Sequence, residues 1–263
     1  MAAAVARRRD DAVTARRRLA PPALGVLGVA IVVALWQGTI AGYDLPAIVL
    51  PTPLSVAATL RKLFGSAAFW RDVAVSLREF LLGYLIGGVL GILIGLLVGE
   101  RPTVRMTIGP VIEALRFIVP FAWIPLTVLW FGTSLTGKVV LVAYAVFFVM
   151  VVTTARSIAT VDPTLTRVGT MLGMGPWQIA FRVHLRAAAP GIASGARAAA
   201  AIGWIAVVAA EYIGASAGLG LMITNASMSL ATATVIGGMI VIGIIGGMVS
   251  WLVGRAAALW LNH

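Results

Sequence analysis

Few residues in this sequence have side chains that could do chemistry, and they are scattered. Glu211 lies in the apolar segment "WIAVVAAEYIGASAGLG" with no basic residue nearby in sequence. A carboxylate at the centre of a bilayer-spanning helix costs roughly 2.5–3.5 kcal/mol, and less near the interface. Two roles fit such a residue: a place on a transport pathway, or an interhelical hydrogen bond. Trp204, in the same segment, is the second candidate for a substrate pathway. Glu113 and Arg116 stand three residues apart, a spacing at which helical side chains meet. Mutual neutralisation near a membrane surface, or gating, would use such a pair. "GTSLTGKV", from Gly132 to Val139, matches most of the phosphate-binding loop G-x-x-x-x-G-K-[ST]. Val139 stands where the magnesium-binding hydroxyl belongs, and no strand precedes the segment, so no nucleotide site is read from it. There are no cysteines, and the two histidines, His184 and His263, are far apart. Thiolate chemistry and cysteine-based metal sites are excluded, and no metal site is expected.

The elements that must hold these residues follow from composition. Only 11% of the 263 residues are charged, against about 25% in a soluble domain, and the mean hydropathy is +1.02. Apolar runs of about 20 residues, the length that crosses a bilayer, recur along the chain. Their lack of period-two alternation argues against a β-barrel. The fold class is an all-α, polytopic membrane protein with about six transmembrane helices. The spans are expected near residues 23–41, 77–98, 108–131, 138–158, 191–214 and 233–260. Residues 1–22, with "RRRDDAVTARRR", read as a flexible basic cytoplasmic tail; residues 23–263 read as one transmembrane domain. A signal peptide is the rival reading of the start, disfavoured by the length of the first run and the spans after it. Residues 43–76 hold proline turns and a short amphipathic helix expected to lie along the membrane surface.

The net charge of +11 sits mainly between the apolar runs, which marks topology rather than nucleic-acid binding. With the tail inside, Arg101, Arg105, Arg156, Arg167, Arg182, Arg186 and Arg255 fall on the inner side. Arg61, Lys62, Arg71 and Lys138 fall outside. Both termini are therefore expected in the cytoplasm. The last outer segment, 216–232, is read as an uncharged loop. Gly83, Gly87, Gly91, Gly95 and Gly99 recur every four residues through the second span. Such a small-residue stripe lets another helix approach closely, in this chain or in another subunit.

One basic, amphipathic stretch remains, from about 159 to 190. "DPTL" starts a short helix, with Asp162 as cap and Pro163 in the first turn. "GMG", with Gly173 and Gly175, marks a turn. From Pro176 a second helix places Gln178, Arg182 and Arg186 on a polar stripe, and Trp177, Phe181, His184, Leu185 and Ala188 on another side. An interfacial helix pair on anionic lipid, or a docking surface for a cytoplasmic protein, would look like this.

This stretch resembles the cytoplasmic coupling loop of bacterial ABC importer permeases, whose pattern is E-A-A, three residues, G, nine residues, I-x-L-P. Gly173 fits the glycine, and Val183 and Leu185 stand at the isoleucine and leucine. "LWFGTSLTGKVVLVAYAVFF", "VDPTL" and "WIAVVAAEYIGASAGLG" resemble the nitrate/sulfonate/taurine branch, and the likeness covers most of residues 45–260. The sequence departs at Arg167, Val168 and Gly169, which replace E-A-A, and at Arg186, which replaces the proline.

The resemblance implies a type I importer permease of the bacterial cytoplasmic membrane that is not itself an enzyme. It would import a small sulfonate-, taurine- or nitrate-like anion, or a vitamin precursor, by alternating access. Its implied partners are a second permease copy, giving a homodimer, a cytoplasmic ATP-binding subunit that carries ATP and magnesium, and an extracytoplasmic substrate-binding protein. Residues 162–186 named above would contact the ATPase. The alternative is a secondary transporter or channel working without ATP, with Glu211 as an ion site.

Overall fold

The structure, a computed structural model, describes residues 21–213 and 216–261. The tail expected over 1–22 and His263 lie outside them or at their edge. The described residues are helical throughout, with short connections. α1 (Pro21–Tyr43) is followed by α2 (Pro53–Phe64), α3 (Ala67–Glu100) and α4 (Pro102–Leu115). A 3₁₀ turn (Pro120–Trp123) leads into α5 (Ile124–Phe131) and then α6 (Leu135–Ala159). α7 (Pro163–Met171) and α8 (Pro176–Ile179) precede a π-helical turn (Ala180–His184) and α9 (Leu185–Ala187). α10 (Ala189–Tyr212), α11 (Leu219–Met228) and α12 (Thr232–Leu261) complete the chain.

Among the described residues, α1, α3, α6, α10 and α12 are long and apolar enough to cross a membrane. α2 is the expected short amphipathic helix: Thr52 caps it by accepting from the Ser55 N–H at 3.2 Å, and only Val56 is buried. α1 exposes its apolar side chains all round. α3 is much longer than the expected 77–98. Its 34 residues rise about 51 Å, more than the 40–45 Å or so of a bilayer with its headgroups.

Two expectations need correction. The third span is not one helix over 108–131: α4 starts at Pro102, and the halves on either side of the break meet at 82°. Pro120 is the cause, because it holds Val119 in an extended conformation (φ −61°, ψ 135°) that a helix cannot continue through. At the break the Tyr144 hydroxyl donates to Leu115 O at 2.7 Å, which also accepts from the Ile118 N–H at 3.0 Å, and lies 3.3 Å from Ile118 O. Backbone broken at membrane depth needs such a substitute partner. The second correction concerns 216–232. It contains α11, with Leu219, Gly220, Ile223 and Ala226 buried, so its lack of charge reflects packing rather than a plain outer loop.

The core forms where α3, α6 and α10 meet. A Cβ on Gly83 would stand 2.9 Å from Val139 O, one on Gly91 2.9 Å from Phe147 O, and one on Gly95 2.8 Å from Val151 O. Gly87 faces Ala143 O and Gly99 faces Ala155 O in the same way. Every pair has the same sequence offset, so α3 and α6 run parallel in constant register over about 24 Å. The stripe's partner is therefore within this chain. α10 packs antiparallel to α6 through further glycines: Gly191 meets Ser157, Gly195 meets Thr153 and Gly203 meets Val146. Close helix packing of this kind gains dispersion contacts and brings Cα–H groups to facing carbonyls.

Candidate functional site

The surface segment 162–187 is built from local rules. The Asp162 carboxylate accepts from the Thr164 N–H at 2.8 Å and starts α7, with Pro163 in its first turn. That bond holds the exposed Asp162 carboxyl below its ordinary pKa of 3.8. α7 ends where Gly173 takes φ +72°, a conformation costly for any side chain with a Cβ. The Met174 N–H then donates to Gly169 O at 3.0 Å, closing the helix end. Gly169 is buried against Ile179, 3.1 Å from where its Cβ would be. At Gly175 the N–H donates to Gln178 Oε1 at 3.1 Å and opens α8.

The second short helix is not the regular one expected from Pro176 onward. The Leu185 N–H donates to Ala180 O, five residues back, and this wider turn shifts the faces. Ile179, Ala180 and Ala188 become the buried side, while Trp177 (53% exposed) and Phe181 (44%) turn outward and stack at 6.1 Å. The Arg101 guanidinium lies over the Trp177 ring at 5.4 Å. Arg167, Arg182 and Arg186 are exposed, and Val183 and Leu185 are half-buried.

His184, given no partner by its sequence neighbourhood, is the hub of this surface. Its Nδ1 is 2.5 Å from Glu100 Oε1, at the end of α3, and its Nε2 is 2.8 Å from Thr166 Oγ1 on α7. One ring thus ties the surface helices to the end of a spanning helix. Its partner on α3 lies 84 residues away in sequence, so no local pattern announces it.

At the opposite end of α3 a polar cluster is buried. Lys138 Nζ donates to Glu79 Oε1 at 2.7 Å, with both side chains nearly inaccessible (9% and 2%). The lysine of the phosphate-loop lookalike is therefore an internal ion-pair partner, not an outer-surface topology charge. Glu211 is fully buried, and its Oε2 accepts from the Gly220 N–H at 2.8 Å. Neighbouring amides are held likewise: the Gly218 N–H donates to Asp72 Oδ1 at 3.2 Å and the Leu219 N–H to Ser76 Oγ at 3.0 Å. Three consecutive amides at the start of α11 thus end on side chains of α3 and α10. Gly218, at φ +128°, leaves no room for a Cβ beside the Glu211 carboxyl. Among the described residues, Glu79 Oε2 and Glu211 Oε1 have no hydrogen-bond partner.

The remaining candidates separate. Trp204 is 3% exposed, donates from Nε1 to Ile242 O at 3.0 Å and meets Phe80 edge-on at 5.9 Å. It packs in the core between α3, α10 and α12. Arg116 Nε lies 2.7 Å from Glu113 Oε2, beside the helix break.

Comparison with known proteins places this geometry. The family of binding-protein-dependent transport system inner membrane components matches residues 87–262. The taurine transport system permease protein TauC of Escherichia coli (strain K12) is 33% identical over 227 residues, covering 84% of this chain and 82% of that protein. The putative aliphatic sulfonates transport permease protein SsuC of Bacillus subtilis (strain 168) is 34% identical, covering 84% and 80%. Among solved structures, an inward-facing form of the MetNI methionine ABC transporter matches with a TM-score of 0.63 at 19% identity, over 73% of this chain and 95% of that one. A bacterial ABC transporter that imports the acidic polysaccharide alginate matches with a TM-score of 0.64 at 14% identity, over 95% and 96%. With its apolar spans and type I importer fold, this chain belongs to the family of binding-protein-dependent transport system inner membrane components, the permeases of ABC importers.

Proposed function

We propose that this permease moves a small sulfonate- or taurine-like solute inward by alternating access, driven by ATP and magnesium on a separate cytoplasmic subunit. The relatives' transport of taurine and sulfonates supports the substrate class. Two copies of the chain form the pore, an extracytoplasmic binding protein delivers the solute, and both termini face the cytoplasm.

The observation that carries this reading is the outward face of 162–187. Val168 (48% exposed), Met171 (85%), Leu172 (74%), Trp177 and Phe181 stand exposed beside Arg167, Arg182 and Arg186. Apolar side chains gathered on a surface rimmed by charge mark a protein contact. The ATPase docks there, and the arginines at the motif's Glu and Pro positions select a partner groove richer in acidic groups. The test is to purify the tagged chain from its native membrane in mild detergent and identify its companions. A co-purifying ATPase that is lost with Val168→Asp or Trp177→Asp supports the reading. Recovery of the chain alone in several detergents would favour an ATP-independent carrier.

A further inference from the structure

The helix break opens a groove along one face of α6. Two cavities of about 520 and 390 Å³ lie on that face and share Val152 and Arg156. Each is within the 300–1,000 Å³ or so of small-ligand sites. The first reaches the break at Arg116; the second runs along α4 past Glu113 to Arg105.

The charges along this groove are unbalanced. Three arginines face it against one glutamate, leaving two positive charges in excess. Among the described residues Arg105 and Arg156 pair with no carboxylate, and Arg116 is beside Glu113 without the alignment of a hydrogen bond. The neutral donors are committed elsewhere: Tyr144 holds the carbonyls of the break, and Thr153 donates to Val149 O at 2.7 Å. Unsatisfied hydrogen-bonding capacity therefore rests with the arginines.

Topology alone does not explain Arg116. Arg105 is in the first turn of α4 and Arg156 in the last turn of α6, where positive charge marks the inner face. Arg116 is a further eleven residues along, about 16 Å up the helix axis and beside its break. Glu113 Oε2 at 2.7 Å offsets part of its charge, and the guanidinium lies over the Phe117 ring at 4.9 Å while lining the groove.

We infer that this groove is an oxyanion path, with Arg116 and Arg156 as successive stations for a sulfonate group and Phe148 and Val152 as apolar wall for its organic tail. This deepens, and rests on, the sulfonate reading above. A guanidinium presents paired N–H donors that match the oxygens of a sulfonate. Passing the anion between stations keeps each hold weak enough for release at the inner face.

The same chemistry would hold the phosphate of an anionic lipid, so the test separates the two. The complex recovered from native membranes is placed in nanodiscs of phosphatidylcholine alone and titrated calorimetrically with ethanesulfonate, and with ethylammonium as the opposite charge. Ethanesulfonate binds, ethylammonium does not, and R116Q with R156Q weakens binding by about tenfold or more. If that double variant is not recovered, R156Q alone, at an exposed side chain, carries the measurement. Equal binding by wild type and variant, or no sulfonate binding by the wild type, overturns the inference. In nanodiscs containing phosphatidylglycerol, arginine-dependent lipid retention without sulfonate binding makes the groove a headgroup site and also overturns it. Uptake of labelled ethanesulfonate by whole cells is measured in parallel. No uptake alongside arginine-dependent binding in nanodiscs would refute the transported class while upholding the groove.

Discussion

Replacing Lys138 with methionine keeps the length of the side chain and removes its charge. Glu79 and Glu211, both at most 2% exposed, then lose the one cation hydrogen-bonded to the cluster, while Arg78 remains as a neighbouring charge. Removing one partner of a buried pair typically costs about 3–5 kcal/mol, because the other charge stays desolvated and uncompensated. Screening by solvent gives little relief at this burial. In a chain of this size about 1 kcal/mol shifts the melting temperature by roughly 2–4 °C, so K138M should melt about 6–20 °C below wild type. Adding E79Q removes the carboxylate that Lys138 pairs with directly while keeping a hydrogen-bonding group of the same shape. The pair K138M/E79Q should therefore recover most of the loss. The assay is thermal unfolding of the purified protein in one detergent, followed by size-exclusion recovery. Wild-type melting by K138M, or a double variant no more stable than the single one, would refute the ion-pair account of this cluster.

Gly91→Val places a branched side chain where a Cβ alone would be 2.5 Å from Met150 Cβ. It should destabilise by about 1–3 kcal/mol, whereas Gly88→Val, on the same helix with nothing within 4 Å, should melt like wild type. His184→Ala removes both ties of the surface helices. Hydrogen exchange should rise across 163–187 and stay unchanged over the glycine stripe of α3. Asp162 contributes through its depressed carboxyl pKa, so its cap is fully present above 3.8 and lost as pH falls through the lower folded value. Exchange protection of the first turn of α7 should persist to a pH below 3.8, while D162A should lack it at neutral pH.

The spanning helices were readable because bilayer length and apolarity leave a strong periodic trace, and the ends of α6, α10 and α12 fall within about three residues of expectation. The start of α7 was equally legible, since an Asp-Pro pair encodes its cap locally. The break at Pro120 had a signal in "FIVPFAWIP" that a hydropathy reading averages away: proline restricts the residue before it. α11 was hidden because a buried segment and an outer loop can share an uncharged composition. The π turn within 180–184 and the ties of His184 to Glu100 and Lys138 to Glu79 come from tertiary packing. Their partners stand 84 and 59 residues apart, and no spacing rule reaches that far.

Those long-range ties explain why α3 is so long. At one end Glu100 holds His184, and through it the surface helices proposed to meet the ATPase. Over its middle the glycines lock α3 to α6 in constant register. Sliding one helix along the other would drive Cβ atoms into the small-residue grooves, so the pair moves as one body. At the far end Glu79 binds Lys138 of α6, while Asp72 and Ser76 hold the first amides of α11. These contacts join the surface helices, through α3, to the buried polar cluster near its other end. The α4–α5 limb, broken at Pro120 and joined to α6 through the Tyr144 hydroxyl, lies outside this rod. The arginine-lined groove opens where the α3–α6 pair meets this broken limb.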